Sequence, residues 1–285
     1  MNFKHATGEL ALEQCLVMGI VNRTPDSFYD GGRVDLDRSV DYALSLVEEG
    51  ADVLDLGAVK AGPGAEVDAA TEGARLLPLV EALASRTDVP ISVETGRPNI
   101  ARVALAAGAS IVNDVTGLAD RETAGVCAEA GAGLILMHHG GQLRGRPRHP
   151  RYEDVVGAVE REWTELTAAA AGAGVDGEHV VVDPGLDFGK TTWHSLELIR
   201  RLPELVGLGW PVLLAPSRKD VVGETLDLPV EDRLEGTLAL VALAVEAGVA
   251  IVRVHDVAAA CRTVRMVEAV LGKRPPTAPL RGLWD

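Results

Sequence analysis

The chain has 285 residues and carries 42 Asp and Glu against 27 Lys and Arg, a formal net charge of −15. That balance argues against nucleic-acid binding, whose affinity comes mainly from Lys and Arg neutralising phosphates. With 47% hydrophobic residues and only 4% aromatics, the core is built from Ala, Val, Leu and Ile, which is a globular composition and not a disordered one. Cys15, Cys127 and Cys261 are odd in number and scattered. They support neither a disulfide framework nor a zinc site and suit a reducing compartment. No stretch approaches 18 apolar residues, and the first 16 residues carry Lys4, Glu9 and Glu13, so the expectation is a cytoplasmic protein without a membrane segment.

In chain order, short β-branched runs alternate with helix-capable segments. Strands are expected at 16–21, 53–56, 91–93, 111–114, 134–137, 180–182, 212–214 and 251–254. Helices follow at 36–49, 71–86, 98–107, 121–130, 153–172, 192–206, 230–247 and 257–271. Four of the joints repeat one device: Gly50, Gly108, Gly131 and Gly248 each stand between a helical stretch and the next strand, as left-handed C-terminal caps do. Apolar runs without alternation suit parallel strands buried on both faces. Eight βα units without a dividing linker favour an α/β fold of the (β/α)8 barrel type over an open doubly wound sheet. The barrel is expected as one domain over about 16–271, with a tail at 272–285.

Each strand ends in chemically capable residues: Asn22, Asp55, Glu94 and Thr95, Asn113 and Asp114, His138 and His139, Asp183, Ser217-Arg218-Lys219, and Arg253 with His255 and Asp256. In a barrel these ends converge on one mouth, where active sites lie. Helix capping accounts for Thr95 and Asp256. It does not account for a cation such as Arg253 inside an apolar strand. On the residues alone, Asp183 could be a helix cap, Asn113 a turn amide, and Arg253 with His255 a salt-bridge partner of Asp256 or Glu235. His138 and His139 are adjacent and face opposite sides of a strand, so they do not chelate one ion together. Arg144, Arg146 and Arg148 read as a solvated loop or lid.

Five segments together resemble dihydropteroate synthase: Gly19-Ile20-Val21-Asn22-Arg23-Thr24-Pro25-Asp26-Ser27-Phe28, Asn113-Asp114-Val115, Asp183-Pro184-Gly185-Leu186-Asp187-Phe188-Gly189-Lys190, Ser217-Arg218-Lys219 and Arg253-Val254-His255-Asp256. The ordered set, each at an expected strand end, is specific where Ser-Arg-Lys alone is not. The resemblance implies a (β/α)8 fold, a homodimer and folate-pathway chemistry. In that chemistry, p-aminobenzoate displaces diphosphate from 6-hydroxymethyl-7,8-dihydropterin diphosphate with Mg²⁺ assisting. It implies that Asp183, Asn113 and Lys219 bind the pterin, that Asn22, Arg253 and His255 bind the diphosphate with Asn22 on the metal, and that Glu94 and Lys219 act in catalysis. A carboxylate suits the paired N–H donors of a cyclic amidine edge, and Asn113 a mixed donor and acceptor edge. Arg253 and His255 lie two apart, on one side of the strand, where they would neutralise the leaving group.

The departures from the family pattern gather around the second substrate. Lys60, Ala61 and Gly62 stand where the family carries Ser, Thr and Arg, and Arg23 stands where it carries an apolar residue. Arg23 and Lys60 could return positive charge, without the planar guanidinium in its usual place. Phe188, Ser217 and Arg218 complete the candidate acceptor side. Glu94 replaces Asp, moving its carboxylate by roughly 1.5 Å, one carbon–carbon bond. Ala215 and Asp187 each replace a glycine. This combination resembles a divergent second-copy group of the family in which synthase activity is in question. Two readings follow: a synthase-like protein of folate biosynthesis, or a paralogue that binds a pterin or phosphorylated ligand without that activity.

Overall fold

The structure is a computed structural model that describes residues 1–23, 35–59, 66–141 and 150–281. The chain opens with a β-hairpin, β1 (Asn2–His5) and β2 (Gly8–Ala11). Eight parallel strands follow: β3 (Leu16–Asn22), β4 (Val53–Gly57), β5 (Ile91–Glu94), β6 (Ile111–Asp114), β7 (Gly133–Met137), β8 (Val180–Asp183), β9 (Leu213–Leu214) and β10 (Ile251–Val254). Their order is β8-β7-β6-β5-β4-β3-β10-β9. A parallel bridge between Val182 and Val212, with Val182 N–H donating to the Pro211 carbonyl at 3.0 Å, joins β8 to β9 and closes the ring. The result is the (β/α)8 barrel that the sequence pattern anticipates.

The outer helices are α1 (Leu36–Glu48), α2 (Ala69–Ala84), α3 (Pro98–Ala106), α4 (Glu122–Ala130), α5 (Val155–Gly172), α6 (Thr192–Arg200), α7 (Leu202–Val206), α8 (Asp220–Leu226), α9 (Leu234–Ala247) and α10 (Val257–Val270). Gly50, Gly108, Gly131 and Gly248 all have positive φ, as helix-terminating caps do. The expected single helix over 192–206 is instead two. Pro203 cannot donate an N–H to the preceding turn, and the chain restarts at Leu202. Helix α8, directly after Ser217-Arg218-Lys219, and the N-terminal hairpin have no counterpart in the sequence pattern.

The hairpin plugs the barrel. Phe3 is fully buried with Met18, Val53, Ile111, Ile135, Val181, Leu213 and Ile251, one residue from most of the strands. Gly133 makes room for it: a Cβ there would sit 2.6 Å from the Phe3 ring. Side chains on a strand alternate with a period of two, so the residue two beyond each plug residue faces the same interior. Beyond Val53, Ile111, Val181 and Ile251, those residues are Asp55, Asn113, Asp183 and Arg253. The apolar floor and the polar mouth are therefore successive layers of one interior. Phe3→Ala should destabilise the fold by about 3–5 kcal/mol, the usual cost of emptying a buried Phe site, measured as a shift in the urea midpoint with unchanged slope. A change within about 0.5 kcal/mol, the range of an ordinary surface substitution, would mean that the plug does not support the barrel.

Candidate functional site

Arg253 occupies the centre of the upper interior. From β10 its Nε donates to Asp55 Oδ2 on β4 at 2.6 Å, and its Nη2 donates to Glu94 Oε2 on β5 at 2.6 Å. Asp55 also accepts Ser92 Oγ at 2.6 Å and Asn113 Nδ2 at 3.1 Å. Burial alone would lower the Arg253 pKa, but Asp55 and Glu94 outweigh it and hold the group above its ordinary value. Burial pushes Glu94 up to about 7, against the pull of Arg253. The sequence offered Asp256 and Glu235 as alternative partners for Arg253; the partners are Asp55 and Glu94, whose selection depends on strand neighbours far apart in the chain.

The mouth's other half is built by the β8 loop. Asp183 is buried at the end of β8 and accepts Gly185 N–H at 2.7 Å. Burial raises its pKa, opposed chiefly by Lys219. Lys219 Nζ donates to the Leu186 carbonyl at 2.7 Å and stands 4.9 Å from the centre of the Phe188 ring. Burial lowers Lys219, opposed by Asp183 and Asp187. Lys190 holds the loop from below: its ammonium reaches His138 Nδ1 at 2.7 Å, the Gly185 carbonyl at 2.9 Å and the Phe188 carbonyl at 2.8 Å. Burial brings Lys190 down to about 7 and, with Lys190 beside it, His138 to about 2. Gly185 has φ +64°, and a Cβ there would lie 2.1 Å from the His138 carbonyl, so only glycine lets β7 and the loop meet. His138 is packed and His139 is half-buried, as the alternation requires.

His255 sits beside Arg253 on the β10 side. Ser217 Oγ accepts His255 N–H at 3.1 Å and lies 2.9 Å from His255 Nδ1. Ser217 thus holds both the backbone and the ring of His255. Burial, reinforced by Arg253, takes His255 down to about 3, so the ring is neutral at physiological pH. Arg218, expected on the acceptor side, lies at the turn into α8. Its guanidinium pairs with both Asp256 oxygens at 2.9 Å and donates to the carbonyls of Val230 and Glu231, so it holds the loop ahead of α9. Arg23 Nη1 likewise donates to the Arg75 carbonyl on α2 at 2.6 Å, which ties it to the outer helix.

Lys60, Ala61 and Gly62, together with Thr24 to Phe28 and Arg144 to Arg148, lie outside the described residues. Asn22 ends β3 beside Gly57, where a Cβ would stand 2.8 Å from Asn22 Oδ1. No group of three His, Cys, Asp or Glu able to hold a metal occurs among the described residues. An amide oxygen at the mouth fits a Mg²⁺ that takes most of its ligands from phosphate and water. One residue whose role the sequence reading leaves unassigned is Asp55. Its signal is position: an Asp two beyond Val53, inside a strand of otherwise apolar residues.

Glu94 supports a test of the mouth's electrostatics. A carboxyl raised to about 7 from 4.5 contributes stability below the lower value that is lost as pH rises through the upper one. Wild-type protein should lose on the order of 3 kcal/mol from this group between about pH 4.5 and 8. Glu94→Gln cannot titrate, so its unfolding free energy should fall less over that interval. Identical pH profiles for the two proteins would contradict a raised Glu94.

A family model described as pterin binding enzyme matches residues 18–255. "Inactive dihydropteroate synthase 2" of Mycobacterium leprae (strain TN) is 50% identical over 281 residues, covering 96% of this chain and 97% of that protein. "Dihydropteroate synthase" of Bacillus subtilis (strain 168) is 42% identical over 264 residues, covering 92% and 90%. Among solved structures, the Yersinia pestis dihydropteroate synthase with a sulfonamide drug complex superposes with a TM-score of 0.92 at 34% identity, covering 96% of this chain and all of that one. The Xanthomonas albilineans dihydropteroate synthase with 4-aminobenzoic acid gives 0.88 at 38% identity, covering 98% and 100%. With its motifs at the mouth of one barrel and its match running nearly end to end, the chain belongs to the pterin-binding enzyme family, as a homologue of the dihydropteroate synthases.

Proposed function

We propose that the mouth binds 6-hydroxymethyl-7,8-dihydropterin diphosphate and that the protein condenses it with an aryl amine, p-aminobenzoate in the family's reaction, with release of diphosphate. The observation that carries this reading is the buried carboxylate of Asp183 facing a Lys219 ammonium, with Arg253 and His255 in the same mouth. Asp183 takes the amidine edge of the pterin in a charge-assisted bidentate contact. Asn113 meets the ring's mixed edge, and Lys219 directs a cation at its carbonyl oxygen.

Arg253 and neutral His255 stabilise charge on the departing diphosphate, donors fixed in advance of the reaction. Glu94, one methylene longer than the family's Asp, stands by the carbon that becomes cationic as the C–O bond breaks. Mg²⁺, when bound, supplies further positive charge to the diphosphate, with Asn22 as its protein ligand. Phe188 and Ser217 border the acceptor side; Arg23 and, outside the described residues, Lys60 are the cations we assign to it. We assign the protein as one barrel unit of a homodimer. Exposed Met266 and Val270, one helical turn apart on α10, support a face that a second copy covers. Three unpaired cysteines support a cytoplasmic setting.

A second reading, pterin binding without synthase turnover, is favoured by the 49–50% identity to proteins named inactive dihydropteroate synthase 2 and by Ala61 and Gly62 in place of Thr and Arg. Titration calorimetry with the pterin diphosphate and Mg²⁺ should show binding that Asp183→Asn weakens by about 100-fold or more, roughly 3 kcal/mol for removing a charge-assisted hydrogen bond from a buried site. Unchanged affinity would remove the pterin pocket from Asp183. An assay of pteroate and diphosphate formation then separates the readings. Slow turnover, raised by restoring Thr and Arg together at 61 and 62, supports the synthase; binding with no product in either protein supports the binder.

A further inference from the structure

Asp187 is a residue to which neither the motif nor the pterin reading gives a role. It stands where the family pattern has glycine and has kept the glycine conformation, with φ +68°. A side chain in the left-handed region is disfavoured and persists where its surroundings hold it. Here they do. Asp187 Oδ1 accepts Ser195 Oγ at 3.0 Å, and the same hydroxyl accepts Asp187 N–H at 3.1 Å, so α6 grips the residue from both ends. Asp187 Oδ2 accepts the backbone N–H of Val221 at 3.1 Å. Val221 lies in the first turn of α8, whose N-cap residue, Lys219, makes no capping bond with its own side chain. Asp187 thus supplies from another loop the acceptor that an N-terminal Ser or Asp ordinarily provides.

The residue that this cap orients is Lys219 itself. Its backbone precedes the capped turn, and its ammonium returns to the Leu186 carbonyl at 2.7 Å, one residue before Asp187. The β8 loop and the start of α8 are therefore closed on one another twice, once through the Asp187 carboxylate and once through Lys219. We propose that Asp187 is a positioning residue that fixes Lys219 in the mouth by capping the helix that begins after it. A glycine at 187 would leave the loop its shape and remove this tie.

Two substitutions exploit that property. Asp187→Gly deletes the carboxylate without backbone strain, and Asp187→Asn keeps an amide oxygen for Val221 and tolerates the left-handed region. In the crystal structure of ligand-free Asp187→Gly, Lys219 Nζ should leave the Leu186 carbonyl; in Asp187→Asn it should stay. Lys219 unmoved in Asp187→Gly would overturn the proposal. The ligand arm rests on the pterin reading. Affinity for the pterin diphosphate should fall about tenfold in Asp187→Gly, as for one misplaced hydrogen bond, and no further when Lys219→Met is already present. An equal fall in the Lys219→Met background would show that Asp187 does not act through Lys219. Wild-type protein that binds no pterin diphosphate would count against the pterin reading, while the ligand-free structure still decides the role of Asp187.

Discussion

A guanidinium buried between two carboxylates organises this protein's mouth. Arg253, Asp55 and Glu94 come from β10, β4 and β5 and meet across β3 in the barrel interior. Removing such charges from water is expensive, and the cost is offset only where geometry and extra hydrogen bonds satisfy the remaining atoms. Asp55 is satisfied by Arg253, Ser92 and Asn113 together. Its position below the mouth places Asn113 and Arg253, one expected at the pterin and the other at the diphosphate, on a single carboxylate. A change at Asp55 would therefore disturb both halves of the site. The apolar plug around Phe3 packs directly beneath this layer.

The overall charge of −15 and a cation-bearing mouth are compatible because the interior is layered. Acidic side chains cover much of the outer surface, where water and salt screen them. At the mouth, half-buried Arg253 and Lys219 and buried Lys190 stand among a small number of fixed carboxylates, and each cation has a defined set of acceptors. His255 adds a neutral imidazole held by Ser217. The mouth is therefore a set of oriented donors rather than a general positive field, which suits recognition of one ligand geometry over attraction of any polyanion.

Much of this is legible in the sequence. The eight strands can be read because β-branched runs buried on both faces are short and alternate with helix-capable segments, four of them following a helix-ending glycine, and the alternation of two within a strand puts Asp183, Asn113 and Arg253 on the interior. What cannot be read depends on contacts between remote segments. The hairpin holds one large aromatic in a sequence of mixed residues, and Phe3 becomes a plug only once eight strands surround it. Asp55 looks like any strand-end carboxylate because its guanidinium partner is 198 positions away. The pairing of Arg218 with Asp256 and the bond from Arg23 to the Arg75 carbonyl likewise join segments whose proximity the sequence does not disclose. The break between α6 and α7 is signalled by Pro203 and masked by flanking residues that keep a helical composition.

The central claim is that the buried carboxylate of Asp183 recognises a pterin. A crystal structure of the wild-type protein with 6-hydroxymethyl-7,8-dihydropterin diphosphate tests it most directly. The pterin amidine edge should lie within hydrogen-bond distance of both Asp183 oxygens, with the ring carbonyl toward Lys219 and the diphosphate toward Arg253 and His255. A ligand seated elsewhere, or oriented with its amidine edge away from Asp183, would contradict it.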